Sequence, residues 1–271
     1  MPSEQILPAD AAPRSIAFRG GGFTLRPRPW ASWIAFAAVL ALWQVAVGTR
    51  LVDPVFLPSP FSILLALQHL IVTGELWGDL AASLSRIGGG WAIGTVTGLA
   101  AGLGMGLFSP ARAVGVPVIS ALFPIPKIAL LPLLILWLGI GETPKVATIA
   151  LGVFFPTAIA TMSGIDGVSL SLVRMGQSFG LPFGDIVRKI VLPGALPSIL
   201  AGFRISTATA LLLVVAAEMI GAQRGIGAFV TTTGNLMQTD QLMAGVVVLS
   251  ILGLLIGALL GVLERWLLRW R

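Results

Sequence analysis

Six apolar runs constrain this chain more than any other feature. Each approaches the ~20 residues that a helix needs to cross about 30 Å of hydrocarbon at about 1.5 Å per residue. They fall near residues 30–48, 83–108, 116–138, 145–164, 198–220 and 242–263. Only 10% of the 271 residues are charged and 56% are hydrophobic, whereas water-soluble domains carry about 25% charged residues. A cytosolic enzyme and a disordered chain are both excluded. The expected fold is all-α and polytopic, with residues 1–29 as an N-terminal cytoplasmic tail and residues 30–271 as the transmembrane domain. The first run reads as an uncleaved helix, because the charged stretch before it is long for a signal peptide and no small-residue cleavage site stands out.

Most catalytic chemistry is absent from the composition. There is no cysteine and a single histidine, His69, so thiolate nucleophiles and His-rich metal clusters are out of reach. No G-x-x-x-x-G-K-[S/T] phosphate loop occurs. The three lysines, Lys127, Lys145 and Lys189, sit in Pro-Lys, Pro-Lys and Arg-Lys contexts, which cannot cradle a nucleotide. The chain is therefore expected not to be an enzyme and to bind no cofactor of its own. Its net charge of +6 suits loops beside anionic lipid rather than nucleic acid.

Lys and Arg resist translocation and so set orientation. With the N-terminus inside, Arg14, Arg19, Arg26, Arg28, Arg112, Arg174, Arg188, Lys189, Arg204, Arg265, Arg269 and Arg271 are cytoplasmic. Arg50, Arg86, Lys145 and Arg224 are outside. Both termini are expected in the cytoplasm. The outer apolar run 61–72 is too short to cross and reads as an interfacial or re-entrant helix.

Two glycine stripes at four-residue spacing imply close helix packing: Gly90, Gly94, Gly98, Gly102 and Gly106, then Gly253, Gly257 and Gly261. Each could pack within the bundle or against a second copy. Pro124, Pro126 and Pro132 remove amide donors and break or kink the third crossing. Either this segment lines a pathway, where bare backbone is tolerated at depth, or Pro124 and Pro126 only form a cytoplasmic entry to the helix. Lys127 and Arg204 are expected near the inner membrane edge, easing passage of an anion or snorkelling to headgroups. Glu218, near the outer end of the fifth crossing, is a gate residue facing the path or a structural acid paired with Arg224.

The inner loop 165–197 is the most polar stretch after the tail. A helix-compatible segment runs to Phe179, Gly180-Leu181-Pro182 breaks it, and a short amphipathic helix follows from Phe183, carrying Gly184, Asp185 and Arg188. Leu192-Pro193 and Pro197 are expected to stop that second helix. Such a knob is read as a docking surface for a partner, or else as a hairpin lying on the lipid.

This loop resembles the signature of permease subunits of bacterial ATP-binding-cassette importers: Glu-Ala-Ala, three residues, Gly, nine residues, Ile, one residue, Leu-Pro. Gly180, Ile190, Leu192 and Pro193 stand at those spacings, while Arg174-Met175-Gly176 replaces the opening triplet. Residues 124–132, 137–142, 216–220 and 224–227 further resemble the nitrate/sulfonate/taurine branch. The resemblance implies the six-helix, type I importer permease (MetI-like) fold, in a multi-pass protein of the bacterial inner membrane. It also implies a homodimer forming one pathway, an extracytoplasmic solute-binding protein, and two cytoplasmic ATPase subunits that hold ATP and Mg and grip the loop through Arg174, Gly180–Asp185, Arg188, Leu192 and Pro193. Nitrate, sulfonates or taurine are the implied solutes. The alternative is a stand-alone secondary transporter or channel.

Overall fold

A computed structural model describes residues 29–269. The basic tail with Arg14, Arg19, Arg26 and Arg28, and the terminal Trp270 and Arg271, lie outside the described residues. Among the described residues every regular element is helical: α1 Pro29–Gly48, α2 Pro60–Thr73, α3 Glu75–Leu107, α4 Ser109–Leu122, a 3-10 turn Lys127–Leu130, α5 Leu131–Leu138, α6 Thr143–Asp166, α7 Leu170–Ser178, α8 Phe183–Ile186, a π-turn Val187–Val191, α9 Leu192–Gly221, α10 Ile226–Asn235 and α11 Thr239–Leu267.

Four helices are long and apolar enough to cross a bilayer: Glu75–Leu107, Thr143–Asp166, Phe183–Gly221 and Thr239–Leu267. The pair Ser109–Leu122 and Lys127–Leu138, bent by 88°, adds a fifth span if counted as one. The sixth expected crossing is less complete, since the apolar part of α1, Trp33–Gly48, is shorter than these spans.

The first glycine stripe explains the centre of the bundle. A methyl group added at Gly90 would lie 2.6 Å from Ile149 Cβ, at Gly94 2.5 Å from the Ala150 carbonyl oxygen, at Gly98 2.7 Å from the Phe154 oxygen, and at Gly102 2.5 Å from Thr161 Cβ. Each glycine meets α6 one turn further along, so α3 and α6 touch backbone to backbone, the geometry that replaces a hydrophobic drive in lipid. This stripe is internal packing. The second is different: an added methyl at Gly257 would meet nothing within 4 Å, and only 11% of the α11 span is buried. α9 closes against the other side of α6, around the fully buried Ile149, Val153, Ala210 and Val214.

Leu192-Pro193 and Pro197 do not stop a helix. Helical structure runs unbroken from Phe183 to Gly221, 39 residues. The wider π-turn at 187–191, closed by the Leu192 amide donating to the Val187 carbonyl, makes room for the Pro193 ring and absorbs its missing donor. The short outer run folds as α2, capped by Ser59 Oγ accepting from the Ser62 amide at 3.1 Å. Its Ile63, Ala66 and Leu70 pack against Leu76, Ile226, Ala244 and Val248, so α2 is held by protein and does not merely rest on lipid.

Candidate coupling knob, broken span and outer polar node

The knob 165–197 is built on a core that it shares with α3 and the first turns of α9. α7 ends in Gly180, whose φ of +70° is left-handed backbone that glycine adopts without strain. The Leu181 amide then reaches back to the Gly176 carbonyl at 3.1 Å and the Gly180 amide to Gln177 at 2.9 Å, which satisfies the free carbonyls at the helix end. Ile165, Ile186, Val191, Ala195 and Ile199 are buried together, with Val173, Leu181 and Ile190 against them. Gly176 lets Ile190 approach, since a methyl there would lie 2.9 Å from Ile190 Cδ1. The signature residues Gly180 and Ile190 thus shape the knob from within, and Leu192 and Pro193 lie in its continuous second helix.

Outward, Leu170, Leu172, Met175, Phe179 and Phe183 are exposed, beside Arg174, Pro182, Gly184 and Arg188. Asp185 bonds Lys189 one turn away at 3.0 Å. Two contacts tie the knob base to the α3–α4 corner. Arg112 holds Asp166 through two bonds of 2.7 and 2.6 Å, and the Phe108 and Phe183 rings lie 6.1 Å apart.

The broken span places Lys127 differently from the expectation of an inner-edge cation. Its ammonium sits 4.4 Å from the centroid of Phe155, near the middle of the 24-residue α6. It donates to the carbonyls of Leu122, Phe123 and Ile125 at 2.9, 3.0 and 2.6 Å. Pro124 and Pro126 cannot supply amides, so the last turn of α4 is left with free carbonyls, and the ammonium caps them where the helix dipole is negative. Pro132 lies in the first turn of α5, where a missing amide costs nothing. The prolines therefore make a break within the span.

At the opposite end from the knob lies a buried polar node. Glu218 is 1% exposed. Arg86 Nη1 donates to it at 2.6 Å, Ser83 Oγ donates at 2.8 Å, and the Gly227 amide donates at 2.9 Å. The same Arg86 donates through Nε and Nη2 to Glu142 and through Nη1 to the Arg224 carbonyl at 2.7 Å. Glu218 is thus buried and hydrogen-bonded on all sides, with Arg86 rather than Arg224 as its ion-pair partner; only the backbone of Arg224 joins the node. A side chain at Gly225, whose φ is +127°, would collide with the Glu218 carboxylate and with Arg86 Nη1. Glu142, in the loop before α6, is held below the ordinary carboxylate range chiefly by its hydrogen bond to Arg86. One arginine thereby fastens α3, the α5–α6 loop, α9 and the loop before α10. Ser83 and Arg86, three residues apart on α3, were the signal available for this node, since that spacing sets both on one helix face.

Comparison with known proteins follows the same lines. The family model described as "Binding-protein-dependent transport system inner membrane component" matches residues 94–271. The chain is 36% identical over 235 residues to the putative aliphatic sulfonates transport permease protein SsuC of Bacillus subtilis (strain 168), covering 87% of this chain and 85% of that protein. It is also 36% identical over 239 residues to the taurine transport system permease protein TauC of Escherichia coli (strain K12), covering 86% and 87%. The riboflavin transport system permease protein RibX of Chloroflexus aurantiacus is 30% identical over 237 residues, covering 88% of each. In fold, the chain is similar to a solved inward-facing structure of the MetNI methionine ABC transporter, with a TM-score of 0.60 at 23% identity, covering 71% of this chain and 95% of that one.

Proposed function

We propose a function from the family to which this chain belongs, the binding-protein-dependent transport system inner membrane components. The chain is a multi-pass permease of the ABC importer class, similar to sulfonate and taurine permeases. In our reading two copies enclose one pathway, the knob 165–197 faces the cytoplasm with both termini, and the outer node faces the solute-binding protein. Two separate ATPase subunits, holding ATP and Mg, grip the exposed Arg174, Phe179, Pro182, Phe183, Gly184 and Arg188 and the half-exposed Asp185, on a surface that Gly180 and Leu181 shape from behind. No cofactor binds this chain. The solute is a small anion or zwitterion of the sulfonate or taurine kind.

One observation carries this reading: a single helix, Phe183–Gly221, runs from the knob to Glu218. At about 1.5 Å per residue it is a lever of about 58 Å. Movement of its first turn by the ATPases displaces its far end, where Glu218 is locked into the outer node. Closure of the ATPases then shifts the population between inward- and outward-open bundles. Along the way the break at Pro124–Pro132 supplies bare backbone at depth, tolerated where it lines a watery cavity, and Lys127 lowers the barrier for an anion.

The test is docking. Asp185→Trp fills the exposed face without touching the knob core, so ATPase co-purification and ATP-driven uptake should fall together while the unfolding temperature holds. Unchanged co-purification and uptake would reject the placement of the contact. Gly180 is a poorer site for this test, because its left-handed backbone makes any replacement strain α7 itself.

A further inference from the structure

Above the outer node lies a cleft of about 510 Å³, lined by Arg86, Glu142, Lys145, Gln223 and Arg224 among others. We infer that this cleft is an oxyanion vestibule, in which Lys145 and Arg224 take the charged head of the solute before it enters the bundle. The inference rests on reading the chain as an importer of anionic or zwitterionic solutes, and deepens it by naming where the charged group is received.

The cleft holds two cations whose bonding capacity is not used. The Lys145 side chain is only 8% exposed, yet its single polar contact among the described residues is to Glu142 Oε1 at 3.3 Å, an oxygen already taken by Arg86 Nη2 at 2.8 Å. An ammonium has three donors, and burying it underbonded is costly. Two of its N–H groups are left for a guest. Arg224 is exposed on the rim, and its guanidinium makes no hydrogen bond or ion pair with any described residue. Its backbone, in contrast, is pinned: its carbonyl accepts from Arg86, and the next amide, that of Gly225, donates to Asp79 Oδ1 at 2.8 Å. A fixed stem with a free, planar, multi-donor head is what oxyanion recognition requires.

Arg86 itself is spent on Glu142, Glu218 and the Arg224 carbonyl, so it forms the floor and is no ligand. Of the charged residues lining the cleft, three are cations and one is a carboxylate. That carboxylate, Glu142, is already engaged by Arg86. A sulfonate, permanently charged and with three acceptor oxygens, matches the free donors of Lys145 within the cleft and draws in the rim side chain of Arg224, whose guanidinium rests beside Gly78 of α3 when the cleft is empty. A lipid phosphate shares this chemistry. The solute is favoured because the cleft lies over the polar node, where α3 and the ends of α6 and α9 meet the loops 140–142 and 223–224.

The experiment uses the assembled transporter without its binding protein, in nanodiscs of phosphatidylcholine, titrated with methanesulfonate by calorimetry. Saturable binding is expected. Lys145→Gln and Arg224→Gln should each weaken it at least tenfold, the loss of one charge-assisted bond, while Lys145→Arg should retain it and Arg50→Gln, an outer cation away from the cleft, should not change it. Absence of binding in the wild type, or binding in either glutamine variant as tight as in the wild type, overturns the vestibule. Displacement of methanesulfonate by phosphatidylglycerol in the discs also overturns it, in favour of a lipid headgroup. ATP-driven uptake of labelled taurine or alkanesulfonate by the complete system, run in parallel, tests the importer reading separately, so either can fail while the other stands.

Discussion

Arg86 shows how much one side chain can organise inside a helical bundle. A buried guanidinium is costly unless its donors are matched and its charge opposed. Here two carboxylates, one hydroxyl and two backbone groups close the network around it and Glu218. Removing one partner of such a pair typically costs 3–5 kcal/mol, because the other is left buried and unopposed. Glu218→Gln keeps the shape and loses the charge, so a loss of about 3 kcal/mol is expected in detergent unfolding; a change under about 0.5 kcal/mol would mean that the ion pair is not structural. Glu142 adds a pH dependence. Its carboxyl is depressed in the folded chain, so its contribution is complete above the unfolded glutamate value of about 4.3 and is lost as pH falls through the lower folded value. Acid scans of the unfolding temperature should therefore show a low-pH limb that Glu142→Gln flattens. The sequence shows Glu218 as an acid within a span, but its partner lies 132 residues away, and no local pattern connects the two. The surroundings of Lys127 are hidden in the sequence for a related reason. Its depth depends on where the prolines end α4, which is a matter of tertiary packing against Phe155.

Among the elements, the two glycine stripes look alike in sequence, but the first is pressed against α6 while the second makes only ordinary contacts at Gly253 and Gly261 and none at Gly257. Spacing identifies a face on which a close neighbour is possible, and only the assembled bundle shows whether one is there. Gly94→Ala should cost about 1–3 kcal/mol, as overpacking does, since its methyl would press on the Ala150 carbonyl. Gly257→Ala should be neutral to within about 0.5 kcal/mol. Equal costs for the two would deny the distinction. The prolines teach a similar lesson: Pro124 and Pro126 break a span as their chemistry suggests, whereas Pro193 follows a π-turn that accommodates it and Pro197 sits within the continuous α9. The knob base offers a mechanical test. Arg112 grips Asp166 with both nitrogens, tying the broken span to the coupling loop. Arg112→Asp should lower uptake per ATP hydrolysed, and the exchanged pair Arg112→Asp with Asp166→Arg should restore part of it. Restoration of nothing, with expression intact, would show that the bridge does not transmit motion.

For the molecule as a whole, class and architecture were legible because bilayer thickness imposes a length on every crossing and because the loop 165–197 carries the family's spacing around Gly180. The number of complete spans was less legible. Residue counting treats α1 and the bent α4–α5 pair like straight spans, although the first is short in its apolar part and the second turns through 88°. The proposed orientation rests on the placement of Lys and Arg and can be checked directly, since the chain has no cysteine. Ser178→Cys in the knob should react with an impermeant maleimide only from the cytoplasmic side, and Gln223→Cys at the outer cleft only from the opposite side.

The central claim is that this permease moves solute only when separate ATPases act on its knob. Proteoliposomes holding the permease alone, the permease with its ATPase, and the complete set with binding protein should be compared for uptake of labelled taurine or alkanesulfonate, with and without ATP and with and without an ion gradient. Uptake that requires ATP and the complete set is the predicted result; accumulation by the permease alone on an ion gradient would contradict it.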